Sequence, residues 1–163
     1  MSLRDHCYHY LDHPSFLCLY YANIVLRGVA QVYICNNPVT GLFVCIGLCI
    51  TSPVLMMYAL IGSAVSNLGA FLMVRPATEE FESGLFGYDG TLVGCAIWTF
   101  LSVKNSSIVP PSLINRGLPI LLILSFVVGV VHSSCVNMNK LPALTLAFNI
   151  VILAFLLSVA RDE

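Results

Sequence analysis

Few residues in this chain could do chemistry, and they fall in three places where an otherwise apolar pattern is interrupted. Gln31 stands at the end of an apolar run, just before Asn36-Asn37-Pro38. Its primary amide offers two donors and an acceptor, enough to hold a small polar solute or to bond across to a neighbouring helix. Gly84-Leu85-Phe86-Gly87-Tyr88-Asp89-Gly90-Thr91-Leu92-Val93-Gly94 combines two aromatics and an acid with four glycines. Glycine lowers helix stability and permits sharp turns. Irregular backbone at membrane depth persists only where protein or a water-filled cavity satisfies it. The segment therefore reads either as a re-entrant or broken helix beside a pore, or as a loop at the membrane surface. In the third place, Thr145 and Asn149 lie four residues apart within Leu141 to Asn149. That spacing sets them on one helical face, which in an apolar span should meet protein or a pore. Thr145 could also bond back to its own helix.

The other ionisable residues point away from catalysis. Asp89 is the only acid between Glu82 and Asp162 and shows no obvious partner, so a proton relay is not expected. His132, near the end of an apolar run, reads as a packed, hydrogen-bonded histidine. His6, His9 and His13 belong to a polar leading segment, residues 1–15, which resembles neither a signal peptide nor a metal site of fixed geometry. The seven cysteines lie mostly in apolar runs, with no zinc or disulfide spacing. No phosphate-binding or dinucleotide-binding glycine motif is present. An enzyme, a metal and a cofactor are not expected.

The elements that must position these residues are spans. Hydrophobic residues make up 58% of the chain and charged residues 9%, against roughly a quarter charged in soluble domains. Arg27 to Arg75, Arg116 to Lys140, and Leu141 to Ala160 contain no internal charge. A span needs about 20 mostly apolar residues. Helices are expected over Phe16 to Cys35, Val39 to Ile50, Pro53 to Val74, Thr91 to Val103, Leu118 to Val136 and Leu141 to Val159, with Thr51-Ser52-Pro53 breaking the first charge-free stretch. Arg75 to Glu82 reads as a charged loop and Lys104 to Gly117 as a polar connector, while Pro142 suits the first turn of the last helix. Gly62, Ser63, Ala64, Ser66, Gly69 and Ala70 predict close packing of the third helix. The net charge of −1 and the lack of a basic patch exclude nucleic acid. Lys and Arg are scattered among the connections and specify orientation weakly.

Taken together, Leu26-Arg27-Gly28-Val29-Ala30-Gln31-Val32, Asn36-Asn37-Pro38-Val39-Thr40-Gly41, Gly84 to Gly94 and Leu141 to Asn149 resemble the animal branch of the urea transporter family. The resemblance implies an all-α integral membrane fold: about five transmembrane helices plus one tilted re-entrant helix, residues 16–163 forming one half of an inverted repeat. It implies passive, channel-type diffusion of urea through a narrow slot in the plasma membrane, with flat faces sandwiched by aromatic and aliphatic groups and an oxygen ladder accepting the N–H groups. By position, Gln31 matches an outer binding site, Tyr88 and Leu92 the slot-forming aromatic and leucine, and Thr145 the central constriction. Urea, the lipid bilayer, a second half-repeat and a trimeric assembly are the implied partners.

The chain departs from the family's pattern at Ile34, where an aromatic is frequent, at Asp89, where Asn is usual, and at Ala147, where proline stands. The alanine is expected to straighten the last helix. One half-repeat leaves three expectations for the working unit: two antiparallel copies forming a channel, a shortened product that needs a full-length relative, or a non-transporting interaction protein that packs through the small residues of Pro53 to Val74.

Overall fold

The computed structural model describes residues 14–73, 78–103, 111–139 and 145–161. Residues 1–13 of the leading segment, with their three histidines, and Pro142 lie outside the described residues, whereas Pro14 and Ser15 begin the first helix. Among the described residues seven helices follow in order: α1 Pro14–Gln31, α2 Pro38–Thr51, α3 Pro53–Met73, α4 Thr78–Glu82, α5 Gly87–Val103, α6 Pro111–Asn139 and α7 Leu146–Arg161. The described residues are otherwise turn or irregular.

Local chemistry sets most of these limits. Asn37 caps α2: its backbone is extended and its side chain accepts from the Val39 N–H at 2.9 Å, with Pro38 supplying a first-turn residue that needs no partner. Ser52 is extended between α2 and α3, and its hydroxyl accepts from the Leu55 N–H at 3.3 Å. The expected break at Thr51-Ser52-Pro53 is thus a cap followed by a first-turn proline. The charged stretch is not all loop, because Thr78–Glu82 forms α4 with Glu79 and Glu80 in its first turn, where the N–H groups favour acids. The polar connector is shorter than expected. Pro111 starts α6, which runs on past Pro119 to Asn139.

Among the described residues, two helices are long and apolar enough to cross a membrane, Pro53–Met73 and Gly117–Val136. At 1.5 Å per residue the 21 residues of α3 reach about 30 Å, the thickness of a hydrocarbon core. The distribution of side chains fits that solvent. Ser63, Ser66, Asn67, Asp89, Ser125, His132 and Ser133 are buried, whereas Phe43, Ile50, Phe71, Ile123, Leu153 and Leu157 are exposed. Water would favour the reverse arrangement.

Helix α3 is central and packs most extensively on α5 and then α6. Its small residues make this possible. A Cβ placed on Gly62 would overlap the Gly90 carbonyl, and one on Gly90 would overlap the Gly62 carbonyl. Further along, a Cβ on Gly69 would stand 2.8 Å from the Phe126 carbonyl oxygen. The expected close packing of α3 is therefore met, and it is met inside the chain. This corrects the expectation of a free small-residue face for a partner, since α5 and α6 already cover it. An apolar cluster of Tyr58, Val93, Ile97, Trp98, Leu121, Val128 and Val151 fills the space among α3, α5, α6 and α7.

Gly90→Leu should separate the two backbones. Overpacking of this kind costs about 3 kcal/mol or more, so the variant should lose the single monodisperse peak of the wild type on size exclusion in detergent.

Candidate functional site

The site begins at the turn that leads into α5. Gly84 has φ of 73°, a left-handed conformation that glycine adopts without strain. A Cβ there would lie 2.5 Å from the Gly28 nitrogen of α1. The Gly84 carbonyl accepts from the Gly87 N–H at 2.9 Å, and α5 starts. From α3, the Ser66 hydroxyl donates to the Phe86 carbonyl at 2.6 Å, and Ser63 donates to the Val25 carbonyl of α1 at 3.1 Å. Helices α1 and α3, themselves joined by the Ser63 bond, therefore hold the 83–87 turn. The glycine-rich segment is broken only at this turn. Gly87, Gly90 and Gly94 are helical, and the space a side chain would take is filled by the Asn67 and Ser63 side chains at Gly87 and by the Gly62 and Tyr58 backbones at Gly90 and Gly94.

Gln31 is the last residue of α1. Its Nε2 donates to the Ser83 carbonyl at 3.2 Å, which ties the end of α1 to the turn before α5. Tyr88 and Leu92 lie four apart on one face of α5. Tyr88 is 8% exposed, and its hydroxyl lies near the Asp89 carboxyl without a well-formed hydrogen bond among the described residues; Leu92 is half-buried. Gln31, Tyr88 and Leu92 thus gather around the start of α5. Thr145 does not join them through any described bond. It is exposed in the turn before α7, and its hydroxyl accepts from the Asn149 amide at 3.5 Å, the outer limit of a hydrogen bond. Asn149 is exposed as well, so this chain leaves the polar stripe of α7 uncovered.

Asp89 has a partner after all. His132 Nδ1 lies 2.7 Å from Asp89 Oδ2, with both side chains fully buried. The expectation of an isolated acid is corrected, and the expectation of a packed, hydrogen-bonded histidine is met in the same contact. The His132 ring also meets Phe86 and Tyr88 edge-on, at centroid distances of 5.5 and 5.4 Å. Asp89 Oδ1 and His132 Nε2 find no partner among the described residues. The sequence signal for the pair was weak but real: two ionisable side chains, each inside an apolar run. Their separation of 43 positions hid the contact. No group of three or more metal-ligating side chains occurs among the described residues.

The departures from the family pattern have local consequences. Ile34 has φ of 59° and is 90% exposed. It ends α1 in a left-handed cap: the Ile34 N–H bonds the Gln31 carbonyl at 2.8 Å and the Cys35 N–H bonds the Ala30 carbonyl at 3.3 Å. Arg27 is held nearby, donating to Asn23 at 2.8 Å and to Asn36 at 2.9 Å. Ala147 sits in the first turn of α7 and is buried. A first-turn N–H has no partner inside its helix, so no interior bond was at stake and the expected straightening has no basis. Proline would be tolerated there for the same reason.

An apolar skin around buried serines, an asparagine and a histidine–aspartate pair defines a helical membrane protein. The chain belongs to the urea transporter family, whose model matches residues 22–162. It is 28% identical to Urea transporter 1 of Ovis aries over 148 residues, which is 89% of this chain and 36% of that protein. It is 28% identical to Urea transporter 1 of Mus musculus over 141 residues, 85% of this chain and 35% of that protein. The chain thus spans about a third of the length of the curated relatives it matches. The family is membrane-embedded, and its members are transporters, not enzymes.

A β-branched residue in a left-handed cap is strained by roughly 1–2 kcal/mol. Ile34→Gly should remove that strain and raise the thermal midpoint of the detergent-solubilised protein without displacing Gln31.

Proposed function

We propose that this chain forms part of a passive urea channel of the plasma membrane, with Gln31, Tyr88 and Leu92 on one wall of a narrow slot and Thr145 at its constriction. Urea is flat and neutral, with four N–H donors and one carbonyl. A charge-free path with amide and hydroxyl oxygens at its edge replaces the hydrogen bonds urea loses on leaving water, and binds it weakly enough to release it. Tyr88 and Leu92 supply the flat walls. Helices α1, α2, α3, α5, α6 and α7 are the lipid-embedded elements, about five of them crossing, with the start of α5 as the tilted re-entrant part.

The observation that carries this is a pair of exposed polar side chains at the start of an otherwise apolar helix, Thr145 in the turn before α7 and Asn149 in its first turn. Polar groups at membrane depth face protein or water, not lipid. A second half-repeat would cover this pair and close a slot against the start of α5. An antiparallel copy of this chain, or the other half of a longer relative, would serve, and trimeric assembly would place one pore in each unit. The scattered basic residues favour the antiparallel copy, because it requires insertion in both orientations.

Purified chain in lipid vesicles should shrink or swell on a urea gradient faster than empty vesicles in stopped-flow light scattering. Gln31→Ala should slow that flux, because it removes the side-chain amide proposed to meet urea at the start of the slot. Equal rates for wild-type and empty vesicles would defeat an autonomous channel. In cells, a terminal tag should be reached from both membrane faces; labelling on one face alone would rule out the antiparallel pair.

A further inference from the structure

Outside the proposed slot, a costly feature of the described residues is the buried contact between His132 and Asp89. An ionisable pair at membrane depth is expensive to bury, and breaking one partner away is more expensive still. This pair joins two helices that carry different things. Asp89 is in the first turn of α5. His132 is in α6, on a buried stripe with Leu121, Ser125 and Val128. The 2.7 Å bond therefore fixes the start of α5 against α6.

The imidazole does a second thing. It stands edge-on to both Phe86 and Tyr88, with interplanar angles of 86° and 87°. An aromatic ring rotates about its χ angles unless something abuts it. The Tyr88 hydroxyl lies near the Asp89 carboxyl but makes no well-formed hydrogen bond among the described residues, so packing sets the plane of its ring. His132 supplies a hard edge to that packing, and Asp89 keeps the imidazole from turning. Carboxylate, imidazole and phenol thus form a chain of contacts that ends at a slot wall.

We infer that His132 and Asp89 are positioning residues for Tyr88: the pair sets the plane of the tyrosine ring, and through it how closely the slot fits a flat solute. This rests on the urea-channel function proposed above. The pair does not touch urea. It acts on the width of the slot, so it governs discrimination between urea and a bulkier analogue such as methylurea.

The test measures urea and methylurea fluxes on the same vesicles. Their ratio does not depend on how many channels fold, so a purely structural role would leave it unchanged while total flux falls. His132→Leu removes both the bond and the ring edge. The double variant Asp89→Asn with His132→Leu does the same without stranding a buried carboxyl. Both should lower the urea-to-methylurea ratio by roughly 2- to 12-fold, the range one aromatic edge contact gives. Asp89→Asn alone keeps a group that bonds Nδ1 and should hold the wild-type ratio. His132→Gln keeps a donor for Asp89 but has no ring, and it should shift the ratio in the same direction if the leucine variants do not fold. A wild-type ratio in the double variant or in His132→Gln would overturn the inference, as would an equal shift in Asp89→Asn alone. Wild-type flux no faster than empty vesicles would instead overturn the channel function, and this inference with it.

Discussion

The near-contact of two backbones, α3 at Gly62 and α5 at Gly90, is the constraint on which the rest depends. No side chain fits between them. In lipid there is little hydrophobic force to press helices together, so close van der Waals approach and polar contacts must do it. With α5 lying against α3, Ser66 reaches the Phe86 carbonyl and Asn67 comes beside Gly87. The Asp89 carboxyl is then delivered to α6. If α5 stood a side chain's width further out, the turn at 83–87 would lose Ser66, and the histidine would lose its acid.

The same crossing explains the inverted pattern of polarity. A bundle that packs through glycine, serine and asparagine hides those residues and turns leucine, isoleucine and phenylalanine outward. Lipid accepts that surface at no cost. Several buried polar side chains are then satisfied by backbone carbonyls: Ser63 by Val25, Ser66 by Phe86, Thr91 by Gly87, Ser133 by Gly129. Such bonds across helices and within them stiffen the bundle where the helices are most closely packed.

Much of the architecture was legible in the sequence because its signals are local. Asn37-Pro38 and Ser52-Pro53 cap helices wherever they stand, and the small residues of α3 announce a close crossing. The ends were less legible. The first helix stops at Gln31, four residues before the expected Cys35, because Ile34 takes a left-handed conformation that residue type gives no reason to expect. The glycines of the 84–94 segment were ambiguous for a related reason. Glycine marks a turn when φ is positive and a crossing when another backbone is near, and one sequence cannot tell these apart. Gly84 is the first kind and Gly90 the second.

The sequence by itself determined a helical membrane chain, its main breaks, and membership of the urea transporter family through motifs at Gln31, Gly84 to Gly94 and Leu141 to Asn149. Those depend on residue type and short spacing. Only the tertiary structure decided which polar groups meet. It tied Gln31 to Ser83, left Thr145 exposed, filled the small-residue face of α3, and paired Asp89 with His132. The reason is geometric: a contact between residues 43 positions apart is set by how two helices cross, and a crossing is a property of several helices at once.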